Sequence, residues 1–295
     1  MSSYSYESDG AGRSVVSYIF SFFLSLLLVA LVALLVLELG VLPKTSFLSF
    51  FDSNYYGYLL NDINDQTRYY TTPTGINASV LEGVFTQDKV KVDSQGYVKA
   101  AFDGTTYEPD LTSMREKLTQ NVLDSFAADG VEETDETRQI ATSYVDEIMG
   151  IYTKEVQLPG LSTIAQYRSK VLTWAIAGTV GVALLCVLLA VLISRLHDYL
   201  YRAMRYYAYA TGGAALMSFI VPCALYVSKF YAGLGLAPQY FYHFGITVIE
   251  RMLIYCMIGG AVLLVVTVIL IAAGTRMRKK VVGDTSRHRH KKTNG

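Results

Sequence analysis

The sequence predicts an all-α membrane protein: four transmembrane helices, with a small helical extracytoplasmic domain inserted between helices 1 and 2. Three observations carry that expectation. Four stretches are long and apolar enough to cross a bilayer, the charges are segregated along the chain, and the segment between the first two stretches spaces its apolar residues as a helix does. Composition agrees, since 52% of residues are hydrophobic and only 17% are charged. A water-soluble globule carries roughly 25% charged residues. The three cysteines, Cys186, Cys223 and Cys256, all fall in apolar stretches, where they act as small hydrophobes. No disulfide framework or thiolate zinc site is expected in the exposed region.

A helix needs about 20 predominantly apolar residues to span the hydrocarbon. The stretches that meet this are 15–42, 171–193, 208–228 and 246–273. The apolar core of the first is far longer than the roughly 7–15 residues of a secretory signal, so it reads as an uncleaved signal anchor. The third is the weakest, because Gly212, Gly213 and Pro222 lower its helical propensity. Neighbouring membrane helices can satisfy the backbone groups that such residues free.

These spans leave an N-terminal tail at 1–14, an inserted domain at 43–170, a connection at 194–207, a short outer loop at 229–245 and a basic tail at 274–295. Basic residues in short connections stay on the cytoplasmic side. The 194–207 connection carries Arg195, Arg202 and Arg205 against Asp198, and the tail carries Arg276, Arg278, Lys279, Lys280, Arg287, Arg289, Lys291 and Lys292. The outer loop carries only Lys229. Both termini are therefore expected inside a cell membrane, with 43–170 outside. Arg276, Arg278, Lys279 and Lys280 are expected beside the lipid headgroups, at about 1 kcal/mol of attraction each where the leaflet is anionic.

Residues 43–170 hold 19 acidic and 11 basic residues, a balance of −8. Tyr56, Leu59, Leu60, Ile63 and Tyr70 share one helical face. Val90, Tyr97, Ala101 and Phe102 do so less cleanly. Met114, Leu118, Val122 and Phe126 repeat every four after a start at Asp110 or Thr112, and Ile140, Tyr144, Ile148, Ile151 and Tyr152 form the clearest stripe. TTPTG at 71–75, DGTTYEP at 103–109 and ADG at 128–130 punctuate these helices. Pro159 and Gly160 end the last, and Ser162 is placed to cap a further helix running into the second span. KVKV at 89–92 is the one candidate strand.

Three motifs have a functional reading beside a plain one. Asn77-Ala78-Ser79 fits the N-glycosylation pattern on the exposed side. The absence of disulfides leans toward a bacterial surface, where that pattern carries nothing. The run Glu132-Glu133-Thr134-Asp135-Glu136 has oxygens for a cation but lacks the alternating calcium-loop pattern, so a solvated loop with Thr134 or Asp135 as helix cap is favoured. Glu38 and Arg251 lie inside spans at similar depth, and ionisable residues there usually find partners. They are expected either to pair, with Glu250 sharing, or to reach the headgroups separately. Small residues at Ala175, Gly178, Gly181, Gly259, Gly260, Ala272 and Gly274 permit close helix packing.

No catalytic pattern is present: no HExxH, no GxSxG, no phosphate-cradling glycine loop, no zinc-spaced cysteines. No cofactor or metal is expected, and His288 with His290 is too few ligands for one. The basic run RHRHKK is too short for nucleic acid. The leading expectation is a non-enzymatic surface module whose acidic domain binds or senses something outside, with the bilayer and another membrane or surface protein as partners. The order inside terminus, one span, outer domain, three spans also resembles the FtsX-like class of ABC-transporter membrane subunits. That resemblance implies a cytoplasmic ATPase partner contacting RLHDYLYRAMRYYAYATGG at 195–213, which, with Asp198 its single acid, lacks the further acidic residues such a coupling segment carries. A channel is the third expectation, against which stand spans too apolar to line a wet pore.

Overall fold

The computed structural model of the chain describes residues 4–157, 160–197 and 199–293. Among these there is no strand. The helices are α1 (Tyr4–Leu35), continued by a π-helical turn (Val36–Val41), α2 (Lys44–Leu48), α3 (Ser53–Thr71), α4 (Gln87–Asp103), α5 (Thr112–Ala128), α6 (Asp135–Val156), α7 (Leu161–Arg195), α8 (Leu200–Ser228) and α9 (Gln239–Thr293). KVKV lies within α4: Thr86 caps that helix by accepting from the Lys89 N–H at 3.4 Å, and Gly104 closes it in the left-handed region at φ 67°. A good cap at each end outweighs the two-residue alternation of four side chains.

The chain divides into two compact units. One comprises residues 1–42, 171–230 and 249–295, and the other 43–170 with 231–248. Both α7 and α9 contain residues of each unit.

Four helices are long and apolar enough to cross a membrane, over Gly12–Val41, Thr163–Arg195, Leu200–Ser228 and Gln239–Lys279, and the first unit holds the greater part of each. α8 begins at Leu200, so Arg202 and Arg205 stand on its first turns. Pro222 lies inside α8, buried, without ending it. Asp198 lies outside the described residues.

Within this unit α1 and α8 pack extensively against each other. Their seam sets a row of small side chains beside the buried Leu24 and Tyr206. Ser17, Ser21 and Ser25, one turn apart, are all buried, and they face a helix whose buried residues include Ala203, Ala210, Ala214 and Ala215. The Ser21 hydroxyl donates to the Tyr206 carbonyl at 2.6 Å across the seam. Close backbone approach of this kind is how helices associate in lipid, where burying large apolar side chains brings no advantage over leaving them in the tails.

The second unit is a bundle built on α6, which packs against α3, α4 and α5. Thr134 and Thr137 form a reciprocal capping box that starts α6: the Thr134 hydroxyl accepts from the Thr137 N–H at 3.2 Å and the Thr137 hydroxyl accepts from the Thr134 N–H at 2.7 Å. α6 buries Ala141, Tyr144, Val145, Ile148, Met149, Tyr152 and Val156. Ile140, expected on that stripe, is 50% exposed, because the buried face is centred on the 141/145/148/152 row. α5 starts at Thr112, whose N–H the Asp110 carboxylate accepts at 3.1 Å, and buries Met114, Leu118 and Val122 as the four-residue repeat predicts. α3, capped by Asp52 on the Tyr55 N–H at 2.9 Å, buries Tyr55, Tyr56, Leu59 and Ile63. Pro159 lies outside the described residues, as does the Ser162 side chain.

Candidate functional site

Polar chemistry in the second unit converges on three places. The deepest is Asp93, fully buried in α4. Its carboxylate accepts from Lys89 Nζ at 2.9 Å, from the Tyr107 hydroxyl at 2.9 Å and from the Tyr152 hydroxyl at 2.7 Å. One side chain thus ties α4 to the loop after it and to α6. Burial first, and then the Asp93 charge, push the Tyr107 phenol up to about 12, and the same causes raise Tyr152 further. Both phenols therefore stay protonated donors. Gly96 makes room for the arrangement, since a Cβ there would lie 2.3 Å from the Tyr107 ring. A buried carboxylate met by three donors holds a fold together. The Tyr107 and Tyr152 hydroxyl hydrogens are both committed to it.

The second place is the pair Asp62 on α3 and Glu155 on α6, whose carboxyl groups act on one another electrostatically. Desolvation raises both, and their mutual charge adds to the rise of Glu155. The Asp65 charge adds to that of Asp62. Glu155 also lines an open groove of about 1200 Å³, together with Tyr97, Phe102, Tyr107, Lys154 and Tyr240. Aromatic faces beside amide, hydroxyl and charged groups suit non-covalent binding of a polar ligand.

The third is Asp52. Its carboxylate meets His243 Nε2 at 3.1 Å while capping α3, and the His243 ring packs 5.5 Å from Tyr58. Burial works to raise Asp52, but the Tyr55 N–H and His243 outweigh it and hold the carboxyl below its ordinary value. Beside this contact Phe47, Phe51 and Tyr55 close around Phe244, with Phe51 and Phe244 stacked at 4.9 Å. The 231–248 segment is thereby part of the second unit's core.

In the first unit the π-helical turn of α1 carries Glu38, and the Thr179 hydroxyl of α7 donates to its carboxylate. Gly40, in the same turn, is packed against the Tyr255 ring of α9, where a Cβ would come within 2.6 Å. π turns insert an extra residue and recur at functional positions.

The residues singled out in the sequence fall on several elements. The Glu38 carboxylate accepts from Thr179, and Glu250 and Arg251 sit half-buried on α9. Asn77 is exposed, and its side chain accepts from the Ser79 N–H at 3.0 Å, which caps a short 3-10 turn. Arg276, Arg278 and Lys279 are exposed on α9, while the side chain of Lys280 and those of 287–292 lie outside the described residues. Asp93, the Asp62–Glu155 pair and the Asp52–His243 contact have no distinctive local signature, because, Lys89 apart, their side-chain partners are 14 to 191 residues distant in sequence. The serine row of α1, overlooked in the sequence, is signalled there by a four-residue spacing at Ser17, Ser21 and Ser25 inside an apolar stretch.

Among the described residues no group of three or more histidine, cysteine or carboxylate side chains is arranged to hold a metal ion. Comparison with family models, with curated proteins and with solved structures finds no match to this chain.

Proposed function

We propose that the chain is a non-enzymatic, multi-pass protein of the cell membrane. In this reading both termini are cytoplasmic and the acidic helical unit stands outside, where it binds or senses a partner. One observation carries it: a unit with its own aromatic and aliphatic core and a charge balance of −8 over 43–170 shares a chain with four helices of membrane-spanning length. The arginines at 195, 202 and 205 and the basic residues from Arg276 onward support the orientation, since such residues resist translocation. The open groove beside Glu155 supports binding rather than turnover, because it presents rings and polar groups without an activated nucleophile.

The test is labelling of intact cells with a membrane-impermeant maleimide. Cys186, Cys223 and Cys256 are first replaced by alanine, and single cysteines are then placed at exposed Ser113 and Thr275. Ser113→Cys is expected to react on intact cells, and Thr275→Cys only after permeabilisation. The reverse pattern overturns the orientation. Co-purification of a stoichiometric ATPase with the detergent-solubilised chain would replace the sensor reading with the transporter-subunit reading.

A further inference from the structure

The second unit has a feature that neither its core nor the groove explains. Where the end of α3, the turn after it, the end of α5 and the start of α6 come together, an open depression of about 450 Å³ is lined by Tyr70, Ile76, Phe126, Val131, Ile140 and Tyr144. A second hollow of about 190 Å³ adjoins it and shares Phe126, Val131 and Thr137 with it. Val131 and Ile140 are 44% and 50% exposed, and Tyr69 nearby in sequence is 83% exposed. Water is a poor neighbour for such a cluster. The walls are nonetheless well held: Tyr144 shares a 2.7 Å hydrogen bond with Thr71 beneath the floor, and the capping box fixes the start of α6.

The turn between α5 and α6, beside the depression, is strongly acidic. Residues 124–136 contain Asp124, Asp129, Glu132, Glu133, Asp135 and Glu136 and no basic residue. Asp124, Glu132 and Glu133 themselves line the second hollow. The Arg138 guanidinium answers one of them, at 2.9 Å from Glu133. A second copy of the same face would oppose acid to acid, so like-charge repulsion disfavours self-association there.

We propose that this acid-rimmed depression docks a basic segment of a partner protein, one large apolar side chain of which enters between Val131 and Ile140 while flanking lysines or arginines meet the rim. Apolar burial supplies the anchor, and the rim supplies approach rate and choice of partner. The inference rests on the binding function proposed above and names the chemistry of what is bound.

The test uses the full chain in phosphatidylcholine nanodiscs, with empty nanodiscs as background, and three fluorescent capped peptides: Lys-Arg-Trp-Arg-Lys, the same with Ala for Trp, and Glu-Glu-Trp-Glu-Glu. The first is expected to bind saturably, the second at least about tenfold more weakly and the acidic one not at all. Val131→Ser with Ile140→Ser, both at exposed positions, is expected to weaken the first peptide about tenfold. Neutralising Glu132, Glu133, Asp135 and Glu136 to their amides is expected to do the same and to flatten the salt dependence. Unchanged thermal unfolding of these variants establishes that they are folded. Equal binding of the Trp and Ala peptides, or indifference to the Val131 and Ile140 changes, would reduce the effect to diffuse charge attraction and overturn the proposal. So would absence of binding, or protection from unfolding by about 1 mM calcium alone, which would assign the acids to a cation. None of these outcomes depends on which side of the membrane the unit occupies, so the maleimide labelling fails or succeeds separately.

Discussion

The two units pack in opposite senses. In the bundle built on α6 the buried positions belong to large side chains: Phe50, Tyr55, Tyr56, Leu59, Ile63, Leu118, Ile148 and Tyr152 are almost wholly enclosed. In the unit of long apolar helices the enclosed positions belong largely to serine, alanine and threonine, while Phe22, Phe23, Trp174, Leu184, Val187, Val265 and Ile269 face outward. The difference teaches what each surrounding rewards. Water drives large apolar area inward at roughly 25 cal/mol per Å². Lipid tails are indifferent to that area, leaving close backbone contact and hydrogen bonds to hold helices together.

Substitutions that respect one rule and violate the other sharpen the contrast. The largest effect is expected at Asp93. Asp93→Ala strips Lys89, Tyr107 and Tyr152 of their shared acceptor and is expected to destabilise the α6 bundle by about 3–5 kcal/mol. Hydrogen exchange of the full chain reads this as lost protection in α4 and α6, with α1 and α8 unchanged.

In the other unit, Gly260→Ala is expected to cost about 1–3 kcal/mol. Its Cβ would sit 2.8 Å from the Phe219 nitrogen and 2.9 Å from the Ser218 carbonyl carbon, both backbone atoms that cannot swing aside. Gly181→Ala, with open space around it, is the matched control. If both alanines lower the detergent unfolding temperature equally, close backbone approach is not what holds α8 and α9. Thr134→Ala, which removes the cap of α6, is expected to cost about 1 kcal/mol, measured in the same way.

A smaller effect concerns pH. Asp62 and Glu155 are raised in the fold, so their contribution is fully present below the unfolded carboxylate range and is lost as pH rises through their folded values. Asp52 is lowered, so its contribution is lost in the other direction, as pH falls. Asp62→Asn is expected to reduce the loss on the alkaline side, leaving what burial alone imposes on Glu155, and to leave the acid side alone. A thermal stability profile unchanged in shape would show that the pairing of the two carboxyls contributes nothing.

The least effect is expected for Ser25→Ala. The Ser25 hydroxyl is buried without a hydrogen-bond partner among the described residues, so its loss is expected to be neutral or mildly stabilising.

What was legible in the sequence follows the range of the forces involved. The apolar stretches and the Thr134 and Asp110 starts are local, so periodicity and cap chemistry locate them within a few residues. The face of α6 was displaced by one residue at Ile140, because apolar spacing alone does not say which edge of a stripe the neighbouring helices cover. Asp93 looked like any acid four residues from a lysine. Only the fold brings Tyr152 to it. The same holds for Glu38, whose depth in the span was readable while its hydroxyl partner, 141 residues away, was not.

The turn that carries Glu38 has a consequence for register. A π-helical turn accommodates one residue more than an α-helical one, and Leu39, 70% exposed, is the residue of this turn whose loss would disturb the packing least. Deleting it would let Val36–Val41 relax into ordinary winding, and each residue on one side of the repair would swing by about 100° about the axis. Glu38 and Gly40 would then no longer face α7 and α9 together. A one-residue length polymorphism in this turn is thus a rotary adjustment of the first helix, set by counting residues instead of by changing any side chain.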